Sequence, residues 1–432
     1  MLLIIITKSK KIWPQSNPFD ALHTLINLYL YPEILQNNSM IKIGIEKLKT
    51  DKNIQSLFKG NIALLCHSAS VDQDLNSSVQ IFKDIFGDKF TKLFGPQHGF
   101  VSDVQDNMIE TDHYTHPYFN LPVYSLYSET REPTDKMLEN IHTFVIDLQD
   151  VGTRVYTYIT TMTYILKKCS EKDIRVIVLD RPNPVGGEMI EGNILEKGYE
   201  SFVGCMEIPQ RHGMTMGEVA LFATKKLGLK VDLHIVEMDN WKRSMFWKDT
   251  QLHWLNPSPN LPTADGAITF CGTVLYEGTN ISEGRGTTRS LEVIGHPDIE
   301  PYSFYEELKP KLSQLDFAGF KLRPTIFMPT FHKHAGQACG GIHIHVTNPG
   351  EFKSWQLGQF LCRELKNTLG DKFEWSKKAY EYEFDKLPID LINGSDCVRK
   401  WVDENLPISR LLEIEKQGNA DFIELRKSSL LY

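Results

Sequence analysis

The residues best suited to acid–base chemistry are acidic side chains that stand at the ends of apolar runs or in loops. Cleavage of a glycosidic bond needs one carboxylic acid to protonate the leaving oxygen and a second group to act as base or nucleophile. Each of these residues alone is more often a helix cap, a turn residue or a surface charge, so the pattern supplies candidates without selecting a pair. The candidates are Asp106, Glu110, Asp147, Asp150, Asp180, Glu191 and Glu283.

Asp147 stands inside the apolar run FVIDL, where a carboxylate must be hydrogen-bonded or functional because burying it unpaired is costly. Arg154 follows seven residues later and is the expected partner. A structural ion pair and a catalytic pair both fit this spacing.

Other polar side chains follow apolar runs that are typical of buried strands. In an open parallel sheet, ligands bind at the carboxyl ends of the strands, so loops in these positions are expected to share one crevice. The residues concerned are Gln97 and His98 after run 89–94, Gln149, Asp150 and Arg154 after run 142–148, and Asp180, Arg181 and Asn183 after run 174–179.

The stretch EGTNISEGRGTT (277–288) places Asn280, Glu283 and Arg285 among glycines. Glycine allows the backbone to approach a ligand closely, and a guanidinium can hold a carboxylate in a bidentate fork. The alternative is a flexible glycine loop with solvated charges. The loop that precedes this stretch is rich in Asn and Pro and is expected to be ordered. We therefore favour the ligand-binding interpretation of residues 277–288.

A histidine-rich stretch, FHKHAGQACGGIHIHV (331–346), could hold a metal if its histidines shared one strand face. No carboxylate or further spaced ligand set stands nearby, so packing and surface histidines are the favoured interpretation. The chain also contains no GxGxxG after a strand, no Walker A sequence, no HExxH and no GxSxG. We therefore expect no metal and no cofactor.

Alternation of apolar runs with helical patterns predicts an α/β fold with a Rossmann-like parallel sheet and a smaller C-terminal α+β domain. We place an N-terminal extension at 1–40, the Rossmann-like domain at 41–295 and the α+β domain at 296–432. The run AITFCGTVLY (267–276) is predicted as a strand, and PISRLLEIEKQG (407–418) as a last helix ending at Gly418. The other predicted strands are 61–66, 89–94, 142–148, 174–180, 231–238, 320–327 and 340–347, with helices at 74–86, 134–141, 158–172, 217–228, 303–312 and 352–369.

Composition limits the partners and the compartment. The chain of 432 residues has a net charge of −8, which argues against nucleic acid and against an anionic membrane as main partner. Its 7 cysteines are odd in number and widely spaced, which is typical of reduced, buried thiols.

In the N-terminal stretch MLLIIITKSKKIWPQ the basic residues follow the apolar run, whereas in a secretory signal they precede it. Translation from Met40 is our hypothesis. A cytoplasmic location is expected, or a periplasmic one if this N-terminus is misassigned.

Several long motifs, taken together and in order, resemble one bacterial family, the NamZ-like exo-β-N-acetylmuramidases, formerly a domain of unknown function. Its members are glycoside hydrolases that release N-acetylmuramic acid from the non-reducing end of peptidoglycan fragments. The resemblance implies a Rossmann-like domain, a smaller C-terminal domain and an active site in the cleft between them. The motifs are FGPQHG, DLQDVGTRVYTYITTM, VLDRPNPVGG with EGN, RHGMTMGE, PSPNLPT, EGTNISEGRGTT with EVIGHP, FDKLPIDLINGSD and FIELRKSSLLY.

The resemblance also implies roles for residues. Many members carry Pro-Glu-His-Gly where this chain has Gln97, and an amide cannot deliver a proton as an acid does. The alternatives are an active muramidase with a different acid, a non-catalytic glycan binder, and a hydrolase of another acidic amino sugar. For the first, Glu110 and Asp150 are the candidate acids, with His98 beside them. Muramyl sugars or small peptidoglycan fragments would be the ligands, bound by Gln97, Arg154, Tyr156, Asp180, Arg181, Asn183, Asn280, Glu283 and Arg285.

Overall fold

The structure, a computed structural model, describes residues 40–103, 105 and 109–432, and its strands and helices are numbered here within those residues. The strands are β1 Ile62–Leu65, β2 Phe90–Gly95, β3 Tyr114–Thr115, β4 Pro122–Ser125, β5 Thr143–Ile146, β6 Arg175–Leu179, β7 Leu233–Val236, β8 Val293–His296, β9 Phe320–Phe327 and β10 Cys339–Val346. The predicted 1–40 extension lies outside the described residues except for its last residue.

The helices are α1 Gly44–Thr50, α2 Lys52–Ser56, α3 Ser78–Phe86, α4 Asp135–Leu138, α5 Tyr158–Lys172, α6 Met216–Lys226, α7 Trp247–Thr250, α8 Ala264–Thr273, α9 Pro301–Leu308, α10 Ser354–Leu369, α11 Pro388–Asn393, α12 Cys397–Asp403, α13 Ile408–Lys416 and α14 Asn419–Lys427. None of these described helices combines the length and the apolar character needed to cross a bilayer.

Seven strands form one sheet in the order β3-β4-β2-β1-β5-β6-β7. All neighbours pair in parallel except β3, which runs antiparallel to β4 at one edge. Every residue of β1 and β5 is buried, because these central strands are covered on both faces. The predicted α/β fold is confirmed.

A smaller antiparallel sheet, in the order β8-β10-β9, lies in the second half of the chain. Helix α10 packs against α8 and is buried along almost its whole length, with Trp355 and Phe360 in the core. Strand β8 spans position 295, where the sequence predicted a domain boundary; the boundary itself stays a prediction. Buried apolar residues of both sheets belong to one contiguous core.

The prediction of a strand at 267–276 was wrong, since these residues form most of α8 and a following 3-10 turn. An apolar run does not by itself distinguish a buried helix from a buried strand. The helix begins after Thr263, whose side chain accepts a hydrogen bond from the Gly266 amide. It crosses α10 closely: a Cβ on Gly272 would lie 1.9 Å from the carbonyl oxygen of Ser354.

The predicted last helix is also corrected at its end. Helix α13 stops at Lys416, and Gly418, with φ of 78°, begins a further helix, α14. A glycine with positive φ breaks one helix and allows the chain to turn into the next. The sequence pattern identified the break and missed the helix that follows it.

Candidate active site

A cavity of about 440 Å³ gathers residues from loops that are far apart in the sequence. This figure includes the open mouth of the cavity, so it describes the space between its walls and not an enclosed void. Aromatic and aliphatic side chains form part of its wall, and polar side chains converge on it. The polar and charged lining residues are Gln97, His98, Tyr156, Thr157, Ser258, Glu277, Arg285, Tyr380 and Glu381.

Gln97 and His98 reach this cavity from the loop that follows β2. His98 adopts φ of 70°, a left-handed conformation that is uncommon for a residue other than glycine. The Gln97 side chain is fixed at both ends: its Oε1 accepts a hydrogen bond of 2.7 Å from Thr157 Oγ1, and its Nε2 donates one of 3.1 Å to Glu381 Oε1. Both ends of the Gln97 amide are therefore fixed just beyond the carboxyl end of β2.

Glu381 is a buried carboxyl group that the sequence reasoning missed. The Tyr127 hydroxyl donates to its Oε2 at 2.8 Å. Burial raises the pKa of Glu381 from its ordinary 4.5 to about 7, although the hydrogen bonds from Tyr127 and Gln97 act in the opposite direction. Glu381 and Tyr382 both have positive φ, which sets a sharp turn that aims the carboxyl group inward.

Glu277 is the second carboxyl group of the cavity and the first residue of the EGTNISEGRGTT motif. It accepts from Arg285 Nη2, and its Oε2 accepts a 2.6 Å hydrogen bond from the Tyr380 hydroxyl. Sequence reasoning selected Glu283 in this motif and passed over Glu277. Because Tyr380 is adjacent to Glu381 in the chain, the two carboxyl groups come together at one short segment.

Arg285 lies between Glu277 and Glu283. Burial lowers its pKa, but the two carboxylates outweigh burial and raise it, so the guanidinium stays charged. Its Nε donates to Glu283 Oε1 at 3.2 Å. Its Nη1 has no hydrogen-bond partner among the described residues. A buried cationic donor therefore remains available at the cavity wall.

Glu283 cannot serve as an acid at neutral pH. Burial would raise its pKa, but Lys333, at 2.9 Å, and Arg285 together lower it to about 2. It remains a carboxylate and holds the two cations in place.

Asp147 pairs with Arg181, so the expected partnership with Arg154 was wrong. Arg181 donates to Asp147 through Nε at 2.5 Å and Nη2 at 2.9 Å, a buried bidentate pair. Arg154 donates to the carbonyl oxygens of Asn193, Ile208 and Ile392 instead. Neither arginine is among the residues that line the cavity.

The other residues expected at the strand ends tie loops together. Asp180 accepts from Thr215 and Tyr432, and burial raises its pKa to about 6. Asn183 closes a turn by accepting from the Val185 amide at 3.1 Å, and it donates to the Met214 carbonyl. These contacts fix the loops after β6 and do not bring either side chain to the cavity.

Asp150 is buried and its Oδ2 accepts from the Gly152 amide at 2.7 Å, which shapes the turn after β5. Burial raises its pKa to about 7. The residues that line the 440 Å³ cavity do not include it.

Glu110 and Asn280 stand at neighbouring hollows. Glu110 accepts from the Tyr382 hydroxyl, and its carboxylate lies 3.6 Å from Arg131. Its hollow shares Glu381 with the main cavity. Asn280 binds the backbone of Lys372 and Glu374 and so serves to fix two loops together.

Two further acidic candidates do not contribute to the cavity as described. Asp106 lies outside the described residues, and Glu191 forms a buried ion pair with Arg211.

The structure thus brings Gln97, His98, Tyr156 and Arg285 to one cavity, while the roles predicted for them stay predictions. Among the described residues, those of the histidine-rich stretch included, no group of three or more His, Cys, Asp or Glu is arranged to hold an ion.

Comparison with known proteins agrees with this architecture. The family model "Exo-beta-N-acetylmuramidase NamZ, N-terminal" matches residues 62–265, and its C-terminal counterpart matches residues 268–432. The chain belongs to the exo-β-N-acetylmuramidase NamZ family. The resemblance stated from the motifs is therefore confirmed.

A curated relative and two solved structures each match 91% of the chain. The chain is 39% identical over 393 residues to a peptidoglycan β-N-acetylmuramidase NamZ of Bacillus subtilis strain 168, covering 91% of each protein. A crystal structure of a DUF1343 family protein from Bacteroides fragilis superposes with a TM-score of 0.80 at 30% identity, covering 91% of this chain and 99% of that one. A second such structure from the same organism gives a TM-score of 0.68 at 26% identity, with the same coverage of both chains.

Proposed function

We propose that this NamZ-family chain is an exo-β-N-acetylmuramidase that hydrolyses the terminal β-N-acetylmuramyl residue of peptidoglycan fragments. The observation that carries the proposal is the buried Arg285 guanidinium in the wall of the cavity that contains the FGPQHG motif. The B. subtilis relative, whose name describes this activity, supports it at 39% identity.

Arg285 is suited to the group that distinguishes muramic acid from glucosamine, the lactyl carboxylate. A guanidinium N–H group donates a strong, charge-assisted hydrogen bond to a carboxylate. Glu277 and Glu283 occupy Nη2 and Nε, and Nη1 has no partner among the described residues. Arg154 and Arg181 were also predicted to bind this carboxylate. Instead, Arg154 donates to backbone carbonyl oxygens and Arg181 donates to Asp147.

The rest of the wall suits a pyranose ring with an acetamido group. Tyr156 and Phe270 stand edge to face with centroids 6.0 Å apart, and sugars present apolar C–H faces to such rings. Gln97, Thr157 and Ser258 offer amide and hydroxyl groups for the sugar hydroxyls. The mixture of aromatic surface and placed polar groups is typical of a small-ligand site.

A wider hollow of about 1730 Å³ adjoins the cavity and shares Glu277 and Tyr380 with it. Trp375, Lys333 and Lys378 are among its lining residues. The lysines of this hollow suit the carboxylates of a peptide carried by the fragment. The hollow that contains Glu110, which shares Glu381 with the cavity, is where the leaving part of the glycan would lie. The division into a small cavity and a wide hollow supports removal of one terminal sugar at a time.

The test is turnover of p-nitrophenyl β-N-acetylmuramide by the purified chain. We expect release of nitrophenol, and much slower release from the matching β-N-acetylglucosaminide because that substrate has no carboxylate for Arg285. Binding of N-acetylmuramic acid without turnover would favour the non-catalytic alternative, for which the amide of Gln97 is the specific observation. Faster turnover of a different acidic amino sugar would favour the third alternative.

A further inference from the structure

The cavity contains two carboxyl groups in contrasting environments, although the acid expected in the FGPQHG motif is replaced by Gln97. We propose that Glu381 is the general acid of this site and that Glu277 is the charged carboxylate that acts with it. This assignment rests on the proposed function and supplies the proton donor that Gln97 cannot be.

Position is the first support. Glu381 lines both the 440 Å³ cavity and the neighbouring hollow that contains Glu110, so its carboxyl group lies at their junction. A group that protonates the bond between a terminal sugar and its leaving group must stand where the two parts meet. Glu110, one of the two candidate acids from the sequence, lines only the outer hollow of these two and is exposed.

The hydrogen bonds around Glu381 are directional. Thr157 donates to Gln97 Oε1, so the amide nitrogen of Gln97 must face Glu381, where it donates to Oε1. The Tyr127 hydroxyl reaches both carboxyl oxygens, Oε1 at 3.0 Å and Oε2 at 2.8 Å. Because Gln97 donates to Oε1, we place the acidic proton on Oε2. Gln97 and Tyr127 are positioning residues: they orient the carboxyl group without supplying a proton themselves.

The charged and titratable groups around Glu381 favour a protonated carboxyl near neutral pH. Burial is the largest cause of its raised pKa of about 7, and the negative charge of Glu277 acts in the same direction. The hydrogen bonds from Tyr127 and Gln97 and the charge of Arg131 act against it. Tyr380, on the same segment, donates to Glu277 and faces both carboxyl groups.

Glu277 has the opposite surroundings, since Arg285 and the Tyr380 hydroxyl both donate to it. A carboxylate that accepts hydrogen bonds from a guanidinium and a hydroxyl is held in a fixed orientation. Two carboxyl groups whose environments differ in this way can divide the roles of acid and charge stabiliser.

The reaction step balances as follows. The bond between C1 of the muramyl sugar and the glycosidic oxygen breaks, its electron pair stays on that oxygen, and the oxygen takes the proton from Glu381 Oε2. Positive charge that develops at C1 is stabilised by the Glu277 carboxylate. Water adds to C1, and the proton it releases returns to Glu381, directly or through solvent, so that the acid is regenerated.

The test compares Glu381→Gln with the wild type on substrates with different leaving groups. For the β-1,4-linked N-acetylmuramyl-N-acetylglucosamine disaccharide, whose leaving group needs a proton, we expect kcat/KM to fall roughly 100- to 10,000-fold. For 2,4-dinitrophenyl β-N-acetylmuramide, whose leaving group needs none, we expect a loss of about tenfold or less. Asp385→Asn removes an exposed carboxylate from the same segment and is the matched control, expected to match the wild type on both substrates.

A second variant keeps the assignment testable if Glu381→Gln folds poorly. Tyr127→Phe removes a hydrogen bond that lowers the pKa of Glu381, so the decline in wild-type activity as pH rises through about 7 should move to higher pH. Equal loss on all leaving groups in Glu381→Gln, or an unmoved pH profile in Tyr127→Phe, would overturn the assignment of Glu381. A wild-type chain that cleaves no β-N-acetylmuramide would instead overturn the proposed function itself.

Discussion

Gln97 donates a 3.1 Å hydrogen bond from its side-chain amide to Glu381, which lies 284 positions further along the chain. This contact joins the loop after β2 of the large sheet to a turn near the C-terminus. It places the Gln97 amide, which belongs to the FGPQHG motif, against the buried Glu381 carboxyl group, which lies in none of the sequence motifs. The chemistry of the cavity depends on this pair, because Gln97 orients a proton donor and does not replace it.

The first prediction concerns Gln97→Glu. A second carboxyl group beside Glu381 adds like charge, which raises the pKa at which the pair loses its last proton. We therefore expect the decline in kcat/KM with rising pH to shift to higher pH, with no large gain in rate at pH 6. A pH–rate profile on the disaccharide measures this. A gain of 100-fold or more, on the scale of general acid catalysis, would instead show that Gln97 replaced an essential acid.

The second prediction concerns Arg285→Lys, which keeps a cation near Glu277 and Glu283 but loses the guanidinium fork. We expect affinity for N-acetylmuramic acid to fall roughly 10- to 100-fold, as for loss of one charge-assisted contact. Affinity for N-acetylglucosamine, which has no lactyl carboxylate, should change little. Calorimetric titration of both sugars gives the ratio. Arg289→Lys, at a half-exposed neighbouring arginine, is the control; an equal loss for both sugars would remove Arg285 from lactyl recognition.

The third prediction separates structural charges from binding charges. Arg181→Met leaves Asp147 buried without its ionic partner, and the free energy of unfolding should fall by about 3–5 kcal/mol. Because Arg181 does not line the cavity, KM of the folded variant should match the wild type. Urea denaturation and steady-state kinetics measure the two effects. Arg410→Met, which removes an exposed ion pair with Glu413, should cost less than about 1 kcal/mol.

A raised KM in Arg181→Met, with stability retained, would favour the substrate-binding role that the sequence suggested for this arginine. In the structure the Asp147–Arg181 pair has a structural role. Asp147 also accepts a hydrogen bond from Ser78, and Arg181 also donates one to the Val71 carbonyl oxygen. These bonds join the segments that follow β5 and β6 to the start of α3 and to the loop before it.

The fourth prediction concerns Asp150 and pH. Its pKa is about 7 in the folded chain against an ordinary 3.8, so its contribution to stability is complete below pH 4 and is lost as pH rises to 7. Asp150→Asn removes this dependence. Between pH 5 and 7 the free energy of unfolding of the wild type should fall by roughly 2 kcal/mol relative to the variant.

Urea denaturation of both proteins at several pH values measures that difference, and Asp371→Asn, at an exposed site, is the control. A constant difference between wild type and Asp150→Asn across this pH interval would contradict the raised pKa. Loss of activity confined to poor leaving groups in Asp150→Asn would favour Asp150 over Glu381 as the acid.

Much of the large sheet could be predicted from the sequence because its central strands are short apolar runs bounded by turn residues. The runs that contain β1, β5 and β6 were identified to within two residues at either end. Residues 267–276 were assigned wrongly because their apolar pattern suits either a strand or a buried helix, and the tight packing of Gly272 on α10 depends on tertiary contacts.

The site was only partly predictable for a similar reason. Gln97, His98 and Arg285 lie in motifs rich in glycine or proline, and such composition marks ordered loops. Glu381 lies in a short segment of tyrosines and acidic residues that reads as surface. Its burial follows from contacts with Tyr127 and Gln97, which no local pattern encodes. Conversely, Asp180 and Asn183 follow a strand as binding residues do, yet they fix loops.

The most direct measurement is a crystal structure of the chain soaked with N-acetylmuramic acid. We expect the sugar in the 440 Å³ cavity, with its lactyl carboxylate on Arg285 and its anomeric oxygen within hydrogen-bond distance of Glu381. A sugar bound away from this cavity, for example beside Asp150 and Arg181 at the strand ends, with Arg285 and Glu381 untouched, would contradict the assignment of the active site.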